Sequence, residues 1–298
     1  MGMNVGVALP TMAEGFSGAV LRDWCRIVDE GPFSSISTGE RISFFNPEMI
    51  TTLAASAALT TRVDVMANIV VAPLHRPAML AKQLATIDVL SEGRLVVGLG
   101  VGGRPHDYES VGVAFARRHA QVDEMAEELR RLWSSEPPFE GADPVGPVPW
   151  TPGGPRLVAG AMGPASIARA ARWAHGITGF SITGAAHEFV DAADQARSAW
   201  NDAGRNTPPW LGSGTFCVLG IDDAPAVLRR FAATYLGFLG PSIAEAVASG
   251  LDVADAGALN RVLDAGVEAG LDEFTVVPGT WDLTCLEAIA DVVGDRAG

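Results

Sequence analysis

The sequence is short of positive charge, of cysteine and of long apolar runs, and each shortage excludes a class of protein. Lysine and arginine total 21 residues against 35 aspartates and glutamates, which gives a formal net charge of −14 at pH 7. Nucleic acids and anionic membrane surfaces bind basic faces, so we expect neither as a partner. The chain has no apolar run of membrane-spanning length and no signal-peptide pattern at its start. We therefore expect a cytoplasmic protein.

Cysteine, lysine and histidine are too sparse for several kinds of active site. Cys25, Cys217 and Cys285 are odd in number and far apart, so we expect buried thiols in a reducing compartment. Lys82 is the only lysine and lies in a predicted helix, which disfavours a Schiff-base aldolase. The histidines form no i, i+4 or H-x-H pair, so the sequence predicts no metal site.

What the sequence does contain is a repeated alternation of short β-branched runs with amphipathic helical stretches. Such strands pair in parallel, and eight strand–helix units that close on themselves form a (β/α)8 barrel. We therefore predict an α/β protein in which residues 1–298 form a single TIM-barrel domain. The predicted strands are residues 4–9, 34–38, 62–71, 94–100, 155–160, 176–180, 214–220 and 273–277. The predicted helices are residues 17–30, 47–59, 77–90, 117–133, 164–174, 186–204, 224–238 and 284–293.

The stretch "VVGLGVGGRPHDY" at residues 96–108 contains G-x-G-x-x-G, the fingerprint of a dinucleotide-binding turn. A Rossmann turn needs a helix immediately after it and an acid at a strand end further on. Here Pro105 and a stretch without helical period follow the fourth predicted strand, and Asp123 and Glu124 fall inside a helix. The Rossmann interpretation therefore fails. In a barrel, glycines at the carboxyl end of a strand lie on the ligand-binding face.

Residues 80–133, "LAKQLATIDVLSEGRLVVGLGVGGRPHDYESVGVAFARRHAQVDEMAEELRRLW", resemble the signature region of the luciferase-like monooxygenase superfamily. Further stretches extend the resemblance over nearly the whole chain: residues 33–42, 67–83, 155–178 and 269–278. The resemblance implies a barrel fold and an oxidoreductase activity. It also implies a cofactor, either FMN or the 5-deazaflavin coenzyme F-420.

Two parts of the predicted barrel face the cofactor that this resemblance implies. The stretch "AGAMGPAS" at residues 159–166 ends a strand and opens a helix, and the backbone N–H groups of such a turn bind anions. The resemblance favours the cofactor's phosphate there over a simple strand-to-helix turn. It also implies a non-prolyl cis peptide under the cofactor ring, aligned between Ile69 and Val70, where an ordinary buried strand is the alternative. We predict that the cofactor-binding residues are Asn68, Ile69, Val70, Gly102, Gly103, Gly160, Ala161, Met162 and Gly163.

Glu40 and Arg41 follow the second predicted strand, where the family resembled has an acid followed usually by a histidine. That histidine often serves in proton transfer or holds an oxyanion. Arg41 stays protonated and cannot act as a base, but it can hold an anionic group or a developing enolate. A surface salt bridge between the two residues is the alternative. We predict Glu40, Arg41 and His106 as the catalytic residues.

Three functions agree with these residues. The first is a coenzyme F-420-dependent oxidoreductase that moves hydride to or from a small organic substrate. The second is an FMN-dependent monooxygenase that uses molecular oxygen. The third is a barrel that binds the cofactor without turnover. In each case the retained glycines support cofactor binding, and the sequence leaves the substrate unidentified because a barrel fold does not set the chemistry.

We predict the first function and coenzyme F-420 as the cofactor. Residues 221–272, between the last two predicted strands, are fewer than the oxygen-using relatives commonly place there to exclude water. Arginine also outnumbers lysine twenty to one, as in GC-rich genomes where this coenzyme is common. The negative net charge would repel the coenzyme's acidic tail unless Arg76, Arg104 or Arg117 forms a local basic patch. We further expect a homodimer.

Overall fold

The computed structural model describes residues 2–297, which form the predicted barrel. Eight strands in these residues are hydrogen-bonded in chain order and close on themselves. The first strand pairs in parallel with the second and the eighth, the third with the fourth, the fourth with the fifth, the fifth with the sixth, and the seventh with the eighth. The (β/α)8 prediction is therefore confirmed. The strands are β1 (Asn4–Ala8), β2 (Ser35–Thr38), β3 (Asp64–Val71), β4 (Leu95–Gly100), β5 (Arg156–Gly160), β6 (Gly176–Thr178), β7 (Trp210–Cys217) and β8 (Glu273–Pro278).

Helices follow every strand, and none in residues 2–297 is both long and apolar enough to cross a membrane. The α-helices are α1 (Gly18–Glu30), α2 (Met49–Leu59), α3 (Pro77–Leu90), α4 (Pro105–Ser110), α5 (Arg118–Trp133), α6 (Pro164–Ala170), α7 (Ala186–Asp202), α8 (Ala224–Tyr235), α9 (Pro241–Ser249), α10 (Ala256–Glu268) and α11 (Leu283–Ala297). Single 3₁₀ turns lie at Ala72–Leu74, Phe115–Arg117 and Gly237–Leu239.

Capping side chains explain where the first two helices begin. The Ser17 hydroxyl accepts a hydrogen bond from the N–H of Val20 at 3.3 Å. The Glu48 carboxylate accepts from the N–H groups of Ile50 at 2.9 Å and Thr51 at 2.7 Å. These side chains satisfy N–H groups that a helix leaves without an internal partner. The predicted starts, at residues 17 and 47, lie within two residues of the observed starts at Gly18 and Met49.

Contacts divide the chain into two compact units, and β1, β8 and most of β2 and β7 belong to the first. This unit comprises the residues up to Ser37, residues 179–195 and those from Leu211 onward. Strand β1 pairs with β2 and with β8, and β7 pairs with β8. Phe189 and Phe274 meet edge to face inside this unit, with ring centroids 5.9 Å apart.

The second unit comprises Thr38–Thr178 and Ala196–Trp210 and holds strands β3 to β6. Strand β3 pairs with β4, β4 with β5, and β5 with β6. Met66, Val96 and Val158, one from each of β3, β4 and β5, form a buried cluster. Every residue predicted to be catalytic or cofactor-binding lies in this unit.

Strand β7 begins four residues earlier and ends three residues earlier than predicted, at Trp210–Cys217 instead of residues 214–220. The prediction treated Gly214 as the boundary of a strand. A Cβ atom there would lie 2.5 Å from the carbonyl oxygen of Thr275 in β8, so the pairing requires glycine inside the strand. The prediction was wrong because this glycine permits close approach of two backbones and does not mark a turn.

Two helix predictions also need correction. Residues 105–110, predicted to lack helical structure, form helix α4, which begins at Pro105. One and a half turns are too few for a periodic pattern, although proline suits the first position of a helix. The helix predicted over 164–174 ends at Ala170, because the chain turns there before it enters β6.

Candidate active site

The side chain of Ile69 fills a notch formed by glycines of β4 and β5. A Cβ atom added to Gly98 or Gly160 would lie 2.9 Å from Cγ2 of Ile69, and one added to Gly100 would collide with its Cδ1. Only glycine leaves room for the isoleucine at these positions. The first two glycines of the G-x-G-x-x-G stretch therefore accommodate a side chain of β3, which gives a physical reason why the motif occurs outside a Rossmann fold.

A non-prolyl cis peptide bond joins Asn68 to Ile69. The predicted position, between Ile69 and Val70, was wrong by one residue. The pairing of β3 with β4 changes register between Ala67 and Val70, and nothing in the residue pattern marks that irregularity. The amide oxygen of Asn68 accepts a hydrogen bond from the Thr178 hydroxyl at 3.2 Å. Val70 is fully buried, whereas Asn68 and Ile69 keep exposed surface.

Glu40 joins the end of β2 to the end of β3. Its carboxylate is buried and accepts a hydrogen bond from the N–H of Val71 at 2.7 Å. The other carboxylate oxygen lies 2.8 Å from Nε2 of His75, in the residue that follows the 3₁₀ turn. Both oxygens thus have protein partners that fix the carboxyl end of β3. The predicted catalytic role of Glu40 stays a prediction.

Arg41 and His106 lie on the segments that follow β2 and β4. The Arg41 guanidinium carbon is 3.7 Å from the centroid of the Phe44 ring, and the arginine is half-buried. His106 is exposed on the short helix α4. Its neighbour Asp107 is buried and bonded to the backbone of residues 42 and 43. The predicted catalytic role of His106 stays a prediction, and the sequence analysis missed the carboxylate of Asp107 beside it.

Helix α4 also holds the glycine-rich segment after β4. The Tyr108 hydroxyl donates to the carbonyl oxygen of Val101 at 2.5 Å, and burial raises the pKa of Tyr108 to about 12. Gly102 has φ of +60°, a left-handed conformation that favours glycine, and it packs against Val71. Gly103 is exposed, with open space where a side chain would be. Pro105, which suits the first position of a helix, was the sequence signal for the helix that carries Tyr108.

The turn between β5 and α6 is open to solvent on one side. Met162 is 64% exposed, Ala161 is buried, and Gly163 is the residue before the helix. The Ser166 hydroxyl accepts from the N–H of Gly163 at 3.3 Å and donates to its carbonyl oxygen at 2.8 Å. These bonds fix the turn, and the first N–H groups of the helix have no carbonyl partner within it.

A pocket of about 40 Å³ lies between the carboxyl ends of β4 and β5 and helices α5 and α6. The Asp123 carboxylate faces it and accepts from Arg169 at 2.5 Å and from the Trp173 indole at 3.0 Å. Desolvation and the guanidinium groups of Arg118 and Arg169 lower the pKa of His119. The pocket wall also includes Gly100, Val101, Gly160, Ala161 and Ser166.

The polar residues of this pocket were missed by the sequence predictions. Asp123 was noted only as an unsuitable ribose-binding acid. The i, i+4 spacing of His119 and Asp123 places both on one face of a helix and was the available signal.

A family model for luciferase-like monooxygenases matches residues 3–297. Among curated proteins, the chain is 33% identical over 132 residues to an uncharacterised protein of Mycobacterium tuberculosis, covering 41% of this chain and 46% of that protein. It is 37% identical over 95 residues to pyrimidine monooxygenase RutA of Escherichia coli, covering 30% and 26% of the two chains. Each match spans less than half of the curated relative.

Solved structures match over nearly the full length. Monooxygenase RslO1 of Streptomyces bottropensis has a TM-score of 0.78 at 23% identity, with 99% of this chain and 100% of that chain covered. The coenzyme F-420-dependent tetrahydromethanopterin reductase of Methanopyrus kandleri has a TM-score of 0.77 at 14% identity, with 99% of each chain covered. The oxygenating constituent of 3,6-diketocamphane monooxygenase of Pseudomonas putida, solved with FMN, has a TM-score of 0.72 at 18% identity and 99% coverage of each chain. At these identities the likeness shows the fold alone.

Proposed function

The chain belongs to the luciferase-like monooxygenase family, and from this premise we propose that it is a coenzyme F-420-dependent oxidoreductase acting on a small organic substrate. The observation that carries the proposal is the pocket at the carboxyl ends of β4 and β5. Its wall includes backbone of the β5–α6 turn, and the first N–H groups of α6, which have no carbonyl partner within the helix, suit a phosphate group.

Residues that follow the pocket-lining ends of β4 and β5 along the chain would leave room for a flavin-type cofactor. Gly103 and Gly163 have open space where side chains would be, so a ligand can approach the backbone closely at both turns. Gly102, Gly103, Gly160, Ala161, Met162 and Gly163 would hold the phosphate side of the cofactor, and Asn68 and Ile69 would support its ring. When bound, the deazaflavin supplies a carbon that carries hydride.

The charges and hydrogen bonds of three predicted site residues and their neighbours limit which side chain can transfer a proton. Arg41 remains charged at any working pH, so it orients an anionic group or stabilises an oxyanion and does not accept a proton. Glu40 holds the N–H of Val71 and the His75 ring. His106 is exposed on α4. We propose Arg41 as the substrate-orienting group and keep His106 as a candidate proton donor or acceptor.

Two solved relatives support coenzyme F-420. They are the reductase already described and an F-420-dependent secondary alcohol dehydrogenase in complex with an F-420–acetone adduct. The segment between β7 and β8 also supports it. Helices α8, α9 and α10 fill most of that segment, which leaves little chain for the longer lid that oxygen-using relatives commonly place there to exclude water.

An FMN-dependent monooxygenase is the second candidate, favoured by the local match to RutA and by the FMN-bound relative. Cofactor binding without turnover is the third, because arginine replaces the family's usual histidine at position 41.

Steady-state turnover with each reduced cofactor, with and without oxygen, separates the three candidates. We expect substrate reduction with reduced coenzyme F-420 that is independent of oxygen. Oxygen-dependent product formation with FMN would promote the monooxygenase. Tight cofactor binding without turnover across a range of ketones, imines and enones would promote the binding protein. We also propose that residues 1–298 form one domain. We propose in addition that the protein is a homodimer, and light scattering would test the dimer.

A further inference from the structure

The segment after β2 (residues 41–46, the post-β2 segment) is fixed by a buried carboxylate from a different part of the chain. Asp107, in α4, is 3% exposed. Its carboxylate accepts hydrogen bonds from the N–H groups of Ile42 at 3.1 Å and Ser43 at 2.8 Å. A buried carboxylate is costly unless it is hydrogen-bonded, so these bonds hold the backbone of the post-β2 segment in one arrangement.

A side-chain amide closes the same segment into a compact turn. Nδ2 of Asn46 donates to the carbonyl oxygens of Arg41 at 3.4 Å and Pro47 at 2.9 Å. The backbone of the post-β2 segment is therefore held by the Asp107 carboxylate at Ile42 and Ser43 and by the Asn46 amide at Arg41. A segment fixed in this way orders the side chains that it carries before any ligand arrives.

The side chains of the post-β2 segment combine one cation with exposed apolar surface. The Arg41 guanidinium lies over the Phe44 ring at 3.7 Å, and the rings of Phe44 and Phe45 are 4.1 Å apart. Phe45 is 47% exposed and Ile42 is 38% exposed. Single exposed apolar residues are ordinary, but two of them beside a stacked arginine form a surface with both an apolar and a cationic part.

We infer that the post-β2 segment recognises the substrate and that the substrate is a small carboxylate with an apolar body. A guanidinium presents parallel N–H donors that match a carboxylate, and Phe45 and Ile42 supply apolar surface for the body. The net charge of −14 disfavours the binding of anions in general. Binding of an anionic substrate therefore needs a local positive charge, which Arg41 supplies. The inference rests on the proposed function, because it assumes that substrate meets the cofactor at this face of the barrel.

Two matched ligand pairs test the inference: phenylacetate against phenylacetamide, and hexanoate against hexanamide. Within each pair the apolar body is constant and only the charge of the head group changes. Calorimetry would measure the dissociation constants on the protein with and without coenzyme F-420 or FMN. We expect each carboxylate to bind at least about tenfold more tightly than its amide. Arg41→Gln should bring the ratio close to one, and Phe45→Ala should weaken both members of each pair equally.

Asp107→Asn tests the positioning role of the buried carboxylate. We expect faster amide hydrogen exchange at Ile42 and Ser43 and a smaller carboxylate preference, with cofactor affinity unchanged. Arg172→Gln, an exposed arginine on the same unit, is the matched control and should leave the preference intact. If Asp107→Asn does not fold, Arg41→Gln still decides the inference.

Equal affinity for carboxylate and amide, no detectable binding of either, or an unchanged preference in Arg41→Gln would overturn the inference. The cofactor titration is read separately. Cofactor binding without carboxylate preference would refute this inference alone, whereas carboxylate preference without binding of either cofactor would refute the proposed function alone.

Discussion

Glu40 illustrates how one buried side chain can fix two strand ends at this site. Its carboxylate accepts from the N–H of Val71 and contacts the ring of His75. The sequence drew attention to this acid through its resemblance to the luciferase-like family, which has an acid at the corresponding position. It could not reveal that both oxygens have partners within the protein, since those partners come from β3 and the turn after it.

Removing this carboxylate should destabilise the protein. We expect Glu40→Ala to lower the free energy of unfolding by about 1–3 kcal/mol, because the buried N–H of Val71 loses its acceptor. Glu40→Gln should cost less, since an amide oxygen can still accept that bond. Urea denaturation would measure both. Glu30→Ala, which breaks an exposed pair with Arg26, is the control and should change stability by less than about 0.5 kcal/mol. Equal losses in Glu40→Ala and Glu30→Ala would contradict the assignment.

The notch that holds Ile69 predicts a coupled pair of substitutions. Gly160→Ala should destabilise the protein by about 1–3 kcal/mol, because its Cβ would lie 2.9 Å from Ile69. In an Ile69→Ala background the same change should cost much less, so the double-mutant cycle should show coupling between the two positions. Gly103→Ala is the control, since its Cβ would meet open space. Additive losses would argue against the notch.

The alternation of strands and helices could be recognised in the sequence because most of the longer helices have an apolar face and the strands are short buried runs. The failures come from elements that lack such a pattern. Helix α4 has only six residues, and β7 contains glycines that allow its backbone to approach a neighbour. Because α4 carries Asp107 and Tyr108, missing it also meant missing the contacts that hold the segments after β2 and β4.

Tyr108 gives a test of α4 that is independent of activity. Burial raises its pKa to about 12, above the ordinary value of about 10 for tyrosine. Between these values the folded state binds more protons than the unfolded state, so the free energy of unfolding should fall as pH rises above about 10. Phenolate absorbance should show an ionisation near pH 12 that is absent from Tyr108→Phe. An identical alkaline titration in the variant would contradict the burial of this hydroxyl.

Loss of the Tyr108 hydroxyl should also destabilise the protein, because this hydroxyl holds the segment after β4. Tyr108→Phe removes the hydrogen bond to the carbonyl oxygen of Val101 and should lower the free energy of unfolding by about 0.5–1.5 kcal/mol. That loss should shrink at high pH, where the wild-type hydroxyl is itself ionised. The glycines of the candidate site at the ends of β4 and β5 could be identified from the sequence, but the side chains that support the backbone there could not.

For the whole molecule, the net charge of −14 sets the conditions under which an anionic cofactor binds. A negative field slows the approach of an anion, and salt screens that field. We expect the association rate constant of coenzyme F-420, with its acidic tail, to rise with ionic strength in stopped-flow fluorescence. FMN should show a smaller rise. A rate constant that falls with salt would mean that a basic patch dominates the approach to the site.

We propose that the carboxyl ends of β4 and β5 form a site for a flavin-type cofactor, with coenzyme F-420 preferred. Calorimetric titration of the cofactor-free protein with coenzyme F-420, FMN and NADPH in separate experiments would test this proposal. We expect coenzyme F-420 to bind most tightly, FMN more weakly, and NADPH more weakly than either. Micromolar binding of FMN with no detectable binding of coenzyme F-420 would contradict the preference, and tight binding of NADPH alone would contradict the site itself.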